Sequence, residues 1–162
     1  MSAMHERARR PLRVTVWGEN VHERREEPVR AIYPDGMHAT IAQGLDALLG
    51  DTVRTRTATL QDPEHGLTPE TLEDTDVLTW WGHAAHPDVD DAIVDRVQQT
   101  VLGGMGLVVL HSGHEAKIFQ RLLGTSCSLR WRDSGDRELI WTVDPAHPIA
   151  EGVPQPIVIE AH

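Results

Sequence analysis

Apolar and polar positions along the chain repeat with two different periods, and the changes between them mark out the elements. Leu12 to Trp17 (Leu-Arg-Val-Thr-Val-Trp) alternates with period two and is rich in β-branched residues, the pattern of a strand. Thr52 to Thr59 alternates in the same way and is threonine-rich, which predicts a second strand nearer an edge. Asp76 to Trp81 predicts a third. Leu107-Val108-Val109-Leu110 is a continuous apolar run, which predicts a strand buried on both faces. Between these, Met37 to Leu49 places Ile41, Leu45, Leu48 and Leu49 at helical spacing, with Gly50 as C-cap. Thr68-Pro69 opens a short helix with a capping threonine and proline at the first position. Asp88 to Leu102 sets Val89, Ile93, Val97 and Val101 on one face, and Glu115 to Leu123 predicts a further helix. Residues 1–11 are polar and predict a disordered lead-in, and the charged stretch through Arg30 shows no period.

Strand, helix, strand, helix, strand, helix, strand is the order of an α/β fold: a doubly wound, mostly parallel sheet with helices on both faces. After Gly124 the texture changes. Cys127 to Trp131 and Glu138 to Val143 read as two antiparallel strands joined through Asp133-Ser134-Gly135-Asp136, and Ile157 to Glu160 as another strand. No repeat or linker interrupts residues 12–162, which predicts a single domain.

Open α/β sheets bind ligands beyond the carboxyl ends of their strands. Three strand ends here carry chemistry-bearing side chains: Glu19 and His22, His83 and His86, and the run His111-Ser112-Gly113-His114. The strand order common in such sheets would bring them together. His111 and His114 with Glu19 are then candidates for acid–base catalysis, and His22, His83 and His111 for holding a divalent metal, zinc above all. Trp81 and Ser112 are candidates for contacting substrate, Trp81 because adjacent Trp80 and Trp81 point to opposite faces. The plain alternative is a turn in which Ser112 caps a helix and the histidines bond to backbone. His65 and His147, in loops, read as structural. A Gly-x-Ser-x-Gly elbow is absent, because Leu110 stands where its first glycine belongs.

Bulk composition narrows the function classes. Ten histidines stand out among 162 residues, and the formal net charge is −10. That charge opposes a nucleic-acid or anionic-membrane partner, and no apolar run is long enough to cross a membrane. A single cysteine, Cys127, excludes an internal disulfide and suits a reducing, cytoplasmic setting.

Several blocks together resemble the ThuA-like family, named for trehalose utilisation. They are Val14-Thr15-Val16-Trp17, Val29 to His38, Pro63 to Thr68, Trp80-Trp81-Gly82-His83, Gly106 to His114, and His147-Pro148-Ile149. The resemblance implies a flavodoxin-like fold akin to the class I glutamine amidotransferases, in which the turn after a buried strand bears a nucleophilic cysteine. His111 occupies that place here, so the resemblance implies no amidotransferase activity. It adds His38 as a substrate-binding candidate. It also implies a small sugar as partner, a disaccharide or keto-sugar derivative, with a histidine-lined, metal-dependent site and no nucleotide cofactor. The alternative is a non-catalytic sugar-binding or regulatory protein on the same scaffold. Against the family the chain reads as truncated at its C-terminus, and an exposed last strand there predicts a homo-oligomer.

Overall fold

A computed structural model describes residues 10–130 and 134–160. The domain expected over residues 12–162 comprises two compact units, Met1–Ser128 and Leu129–His162.

In the first unit, β1 (Leu12–Gly18), β2 (Val53–Thr59), β3 (Val77–Trp81) and β4 (Gly106–Val109) form a parallel sheet in the order β2-β1-β3-β4. This matches the first four strands of the flavodoxin-like order, whose crossovers change direction between β1 and β3. Trp17 lies opposite Trp80, and Gly18 opposite Trp81, so β1 and β3 end level with each other.

Helices cover both faces. On one, α3 (Met37–Leu49) lays Ile41, Ala42 and Leu45 against Val14, Val16 and Val53. On the other, α4 (Pro69–Glu73), α5 (Asp91–Leu102) and α6 (Lys117–Leu123) bury Leu72, Ile93, Val94, Val97 and Ile118 around Trp17, Leu78 and Trp80. The Trp17 and Trp80 rings stack with centroids 3.9 Å apart and form the centre of this core. Among the described residues no helix is long and apolar enough to cross a membrane.

Four expectations need correction. The charged stretch after Val21 is not irregular; it folds as two short helices, α1 (His22–Arg25) and α2 (Glu27–Ile32). α2 buries no residue, so it has no apolar stripe and no helical period to read. β4 is not buried on both faces: it is the edge strand of the described sheet, with Val108 46 % exposed. The cause is that α3 packs over β1 and β2 and leaves that face of β4 uncovered. Arg10, expected in the disordered lead-in, is held by a two-pronged ion pair to Asp76, at 2.8 and 2.9 Å. Residues 1–9 lie outside the described residues.

The fourth correction falls in the second unit. β5 (Glu138–Ile140) does not pair with Cys127 to Trp131; it pairs antiparallel with β6 (Ile157–Ile159). Cys127 adopts a left-handed backbone at φ +51°, which ends any extended run through it, and Trp131 lies outside the described residues. Thr142 N–H donates to Gln155 Oε1 at 3.1 Å and ties the two arms of the observed ribbon. Its connecting segment turns at Pro148–Ala150, where His147 Nδ1 accepts from Ile149 N–H.

Candidate functional site

The level ends of β1 and β3 bring Glu19 under the chain that follows Trp81. Glu19 N–H donates to the Trp81 carbonyl at 3.1 Å, which extends the pairing one step past the strands. The Glu19 carboxylate is 1 % exposed. It accepts from Ala84 N–H at 2.6 Å and from Ala85 N–H at 2.9 Å. A buried carboxylate with both oxygens engaged is the arrangement that makes such burial tolerable. Gln61 secures the other side by donating to the Glu19 carbonyl at 2.9 Å. Glu19 thereby joins the ends of two neighbouring strands at the point where the sheet changes its winding direction.

Imidazoles surround this joint. The His22 and His83 rings lie 4.5 Å apart, and Trp81 stacks on His83 at 6.3 Å. The His86 ring rests on Gly82, where a β-carbon would sit 3.1 Å from it and 3.3 Å from Glu19 Oε2. Burial pushes His86 below the ordinary histidine value of 6.5; Glu19 and Glu115 pull it back up, and His114 and His83 act with the burial. The structure therefore brings Glu19, His22, His83, His86 and His114 to one edge. His86, which stands with His83 at its strand end in the sequence, is part of the group.

The other candidates are placed differently. His111 stands at the tip of the turn after β4 with φ +28°, exposed, its Nδ1 3.1 Å from Ser112 Oγ. A non-glycine residue in the left-handed region marks a corner held by its surroundings, the feature expected of a strand-to-helix elbow. His114 is tied through Nδ1 to the Cys127 carbonyl at 2.8 Å. Trp81 is 8 % exposed and His38 equally buried, so neither presents a free face in this structure. His65 bridges the Leu60 carbonyl and Asp90 N–H, the structural role its loop suggested.

Glu23 escaped the sequence reading. It is 2 % exposed, and its Oε1 accepts from Met37 N–H at 2.8 Å, at the start of α3. It sits in a run of charges where five of the neighbouring positions are solvated, so no local signal sets it apart.

A metal ion needs three or more converging ligands. Among the described residues no three His, Cys, Asp or Glu side chains are grouped to hold one. His22 and His83 offer two imidazoles, while the Glu19 oxygens are spent on backbone amides. These two rings are what the described edge offers a divalent ion.

Burial of His38 and His86 also makes stability depend on pH. Both take up protons less readily folded than unfolded, although Glu23 and Asp62 oppose the effect at His38. The unfolded chain then binds more protons, so stability is lost as pH falls below about 6.5. Urea midpoints measured at pH 7.5 and 5.5 should show the drop, and His38→Asn should shrink it; equal midpoints in the parent protein would rule it out.

The family model described as ThuA, trehalose utilisation, matches residues 13–162. No curated protein matches the sequence. Among solved structures, a protein described as ThuA-like from Bacteroides uniformis ATCC 8492 superposes with a TM-score of 0.63 at 16% identity. The match covers 95% of this chain and 60% of that one, so this chain spans about three fifths of the length of its structural relative.

Proposed function

The chain belongs to the ThuA (trehalose utilisation) family, and from that premise we propose that the crevice above β1, β3 and β4 binds and processes a sugar, a disaccharide or keto-sugar derivative. The supporting observation is the Glu19 joint with four imidazoles around it: His22, His83, His86 and His114. A locked carboxylate holds the loop that carries His83 and His86 in one position, and preorganised groups are what proton transfer needs. Neutral imidazoles accept a proton from a sugar hydroxyl, or from carbon beside a sugar carbonyl, and return it at a neighbouring atom. His111, at the exposed corner, is the group best able to reach a bound sugar from the β4 side.

A non-catalytic sugar-binding role is the second reading. It is favoured by His114, whose ring is committed to a backbone carbonyl. Incubation with trehalose and a keto-disaccharide, followed by NMR and calorimetric titration, separates the two. Catalysis predicts new sugar signals, with His83→Ala slowing their appearance by about 10²-fold or more. Binding without conversion selects the second reading, and absence of binding rejects both. Zinc is a separate proposal and enters no step above. Elemental analysis of tag-free protein tests it: about one zinc per chain, lost with His83→Ala, would support it, and none after soaking would reject it.

A further inference from the structure

Two ionisable groups near the crevice are sealed from solvent with an atom left over. Glu23 Oε2 and His38 Nδ1 have no hydrogen-bond partner, and their residues are 2 % and 8 % exposed. Such orphaned atoms cost stability and persist in native proteins for a reason.

Their surroundings are built for close approach. Glu23 is pinned by its other oxygen to Met37 N–H, one residue from His38. The His38 side chain lies over the end of β1, its Cβ 2.9 Å from where a β-carbon on Gly18 would be. Gly36, at φ +89°, turns a bare α-carbon to the His38 ring; a β-carbon there would be 2.7 Å from Nδ1 and 3.0 Å from Asn20 Oδ1. Asn20 itself is left-handed at φ +48°. Between these two positions, residues 21–35 bury only Val21 and Glu23. Residues 24–35, between Glu23 and Gly36, bury no side chain at all, so that stretch is lightly held and can open without drawing Glu23 off Met37 N–H.

The donors and acceptors select the guest. A carboxylate oxygen accepts only, and an imidazole kept neutral by its burial donates from Nδ1–H in the matching tautomer. A hydroxyl group donates once and accepts, so it matches this pair of atoms in kind. We propose that Glu23 and His38 form a hydroxyl-binding subsite that selects polyhydroxylated ligands, reached when residues 24–35 open while Glu23 stays on Met37 N–H. This rests on the sugar reading above and adds the specificity-determining residues to it.

Calorimetric titration with trehalose and with glucose, on the parent protein, Glu23→Gln and His38→Asn, is the test, with thermal melts on all three. Glu23→Gln retains an acceptor for Met37 N–H and removes the leftover one. The expected result is at least about tenfold weaker binding in each variant, with the Glu23→Gln midpoint unchanged or raised. Equal affinity in all three proteins overturns the subsite and leaves sugar binding intact, as would be so if the pair held an ordered water only. Parallel loss of binding and of melting temperature in both variants assigns the pair a structural role and overturns the subsite as well. No binding of either sugar by the parent protein overturns the sugar reading itself, and the subsite with it.

Discussion

Glu19→Ala should lower the melting temperature by roughly 10 °C and abolish sugar binding. The side chain is 1 % exposed and satisfies Ala84 N–H and Ala85 N–H. Its removal leaves both amides facing the space it occupied. Each unpaired buried donor costs about 1–3 kcal/mol, and 1 kcal/mol moves the midpoint of a protein of this size by roughly 2–4 °C. Water entering the gap recovers part of that, so the lower half of the range is the expectation. Glu19→Gln keeps the shape but turns an amide N–H toward one of the two backbone donors, and should fall between the parent protein and alanine. The effect on binding follows from position: without the carboxylate, Ala84 and Ala85 lose the side-chain contacts that hold Gly82 to His86 over the end of β1. A melting temperature within about 2 °C of the parent would show that the loop is held by something else.

Gly36→Ala should be nearly as damaging, by a different route. Its φ of +89° is a conformation that L-residues rarely adopt, and the added β-carbon would come 2.5 Å from His38 Cε1. Backbone strain of about 1–2 kcal/mol adds to the displacement of a buried ring. A total of roughly 3 kcal/mol corresponds to a midpoint lowered by roughly 6–12 °C. The ring cannot retreat freely, because His38 Cβ already lies close against Gly18 on its other side. Histidine NMR should report the move directly, as a changed His38 signal with His65 unperturbed. Gly44, half-buried within α3 with open space beside its α-carbon, is the control: Gly44→Ala should stabilise by up to about 1 kcal/mol. Equal behaviour of the two substitutions would refute the account of Gly36.

Much of the first unit was legible in the sequence because its elements carry their own pattern. Val14 and Val16 against Thr15 and Trp17 declare a strand whose two faces both meet helices. Ile93 and Val97 declare the buried stripe of α5, and Thr68 caps α4 by accepting from Thr71 N–H, as its position before proline suggested. Alternation of strands and helices then determined a parallel α/β sheet, since short right-handed crossovers permit little else. The blocks around Tyr33-Pro34-Asp35-Gly36 and Trp80-Trp81-Gly82-His83 carried the family.

Only the tertiary structure decided the rest, because it depends on contacts between residues far apart in the chain. The partner of β5 lies across a connecting segment that folds back, whereas sequence patterns favour the nearest turn, here Ser134-Gly135. The exposure of β4 depends on where α3 comes to rest, which its own residues do not encode locally. At the site, the sequence supplied the histidines and Glu19 but not their division of labour. Glu19 engages amides 65 and 66 positions away, and His114 is committed to Cys127. His86 is drawn into the cluster by the absence of a side chain on Gly82. Glu23 looks like its solvated neighbours until α1 turns it inward against the start of α3. Burial and pairing are properties of the packed chain, and they decide which of many similar carboxylates and imidazoles are left with an atom free for a ligand.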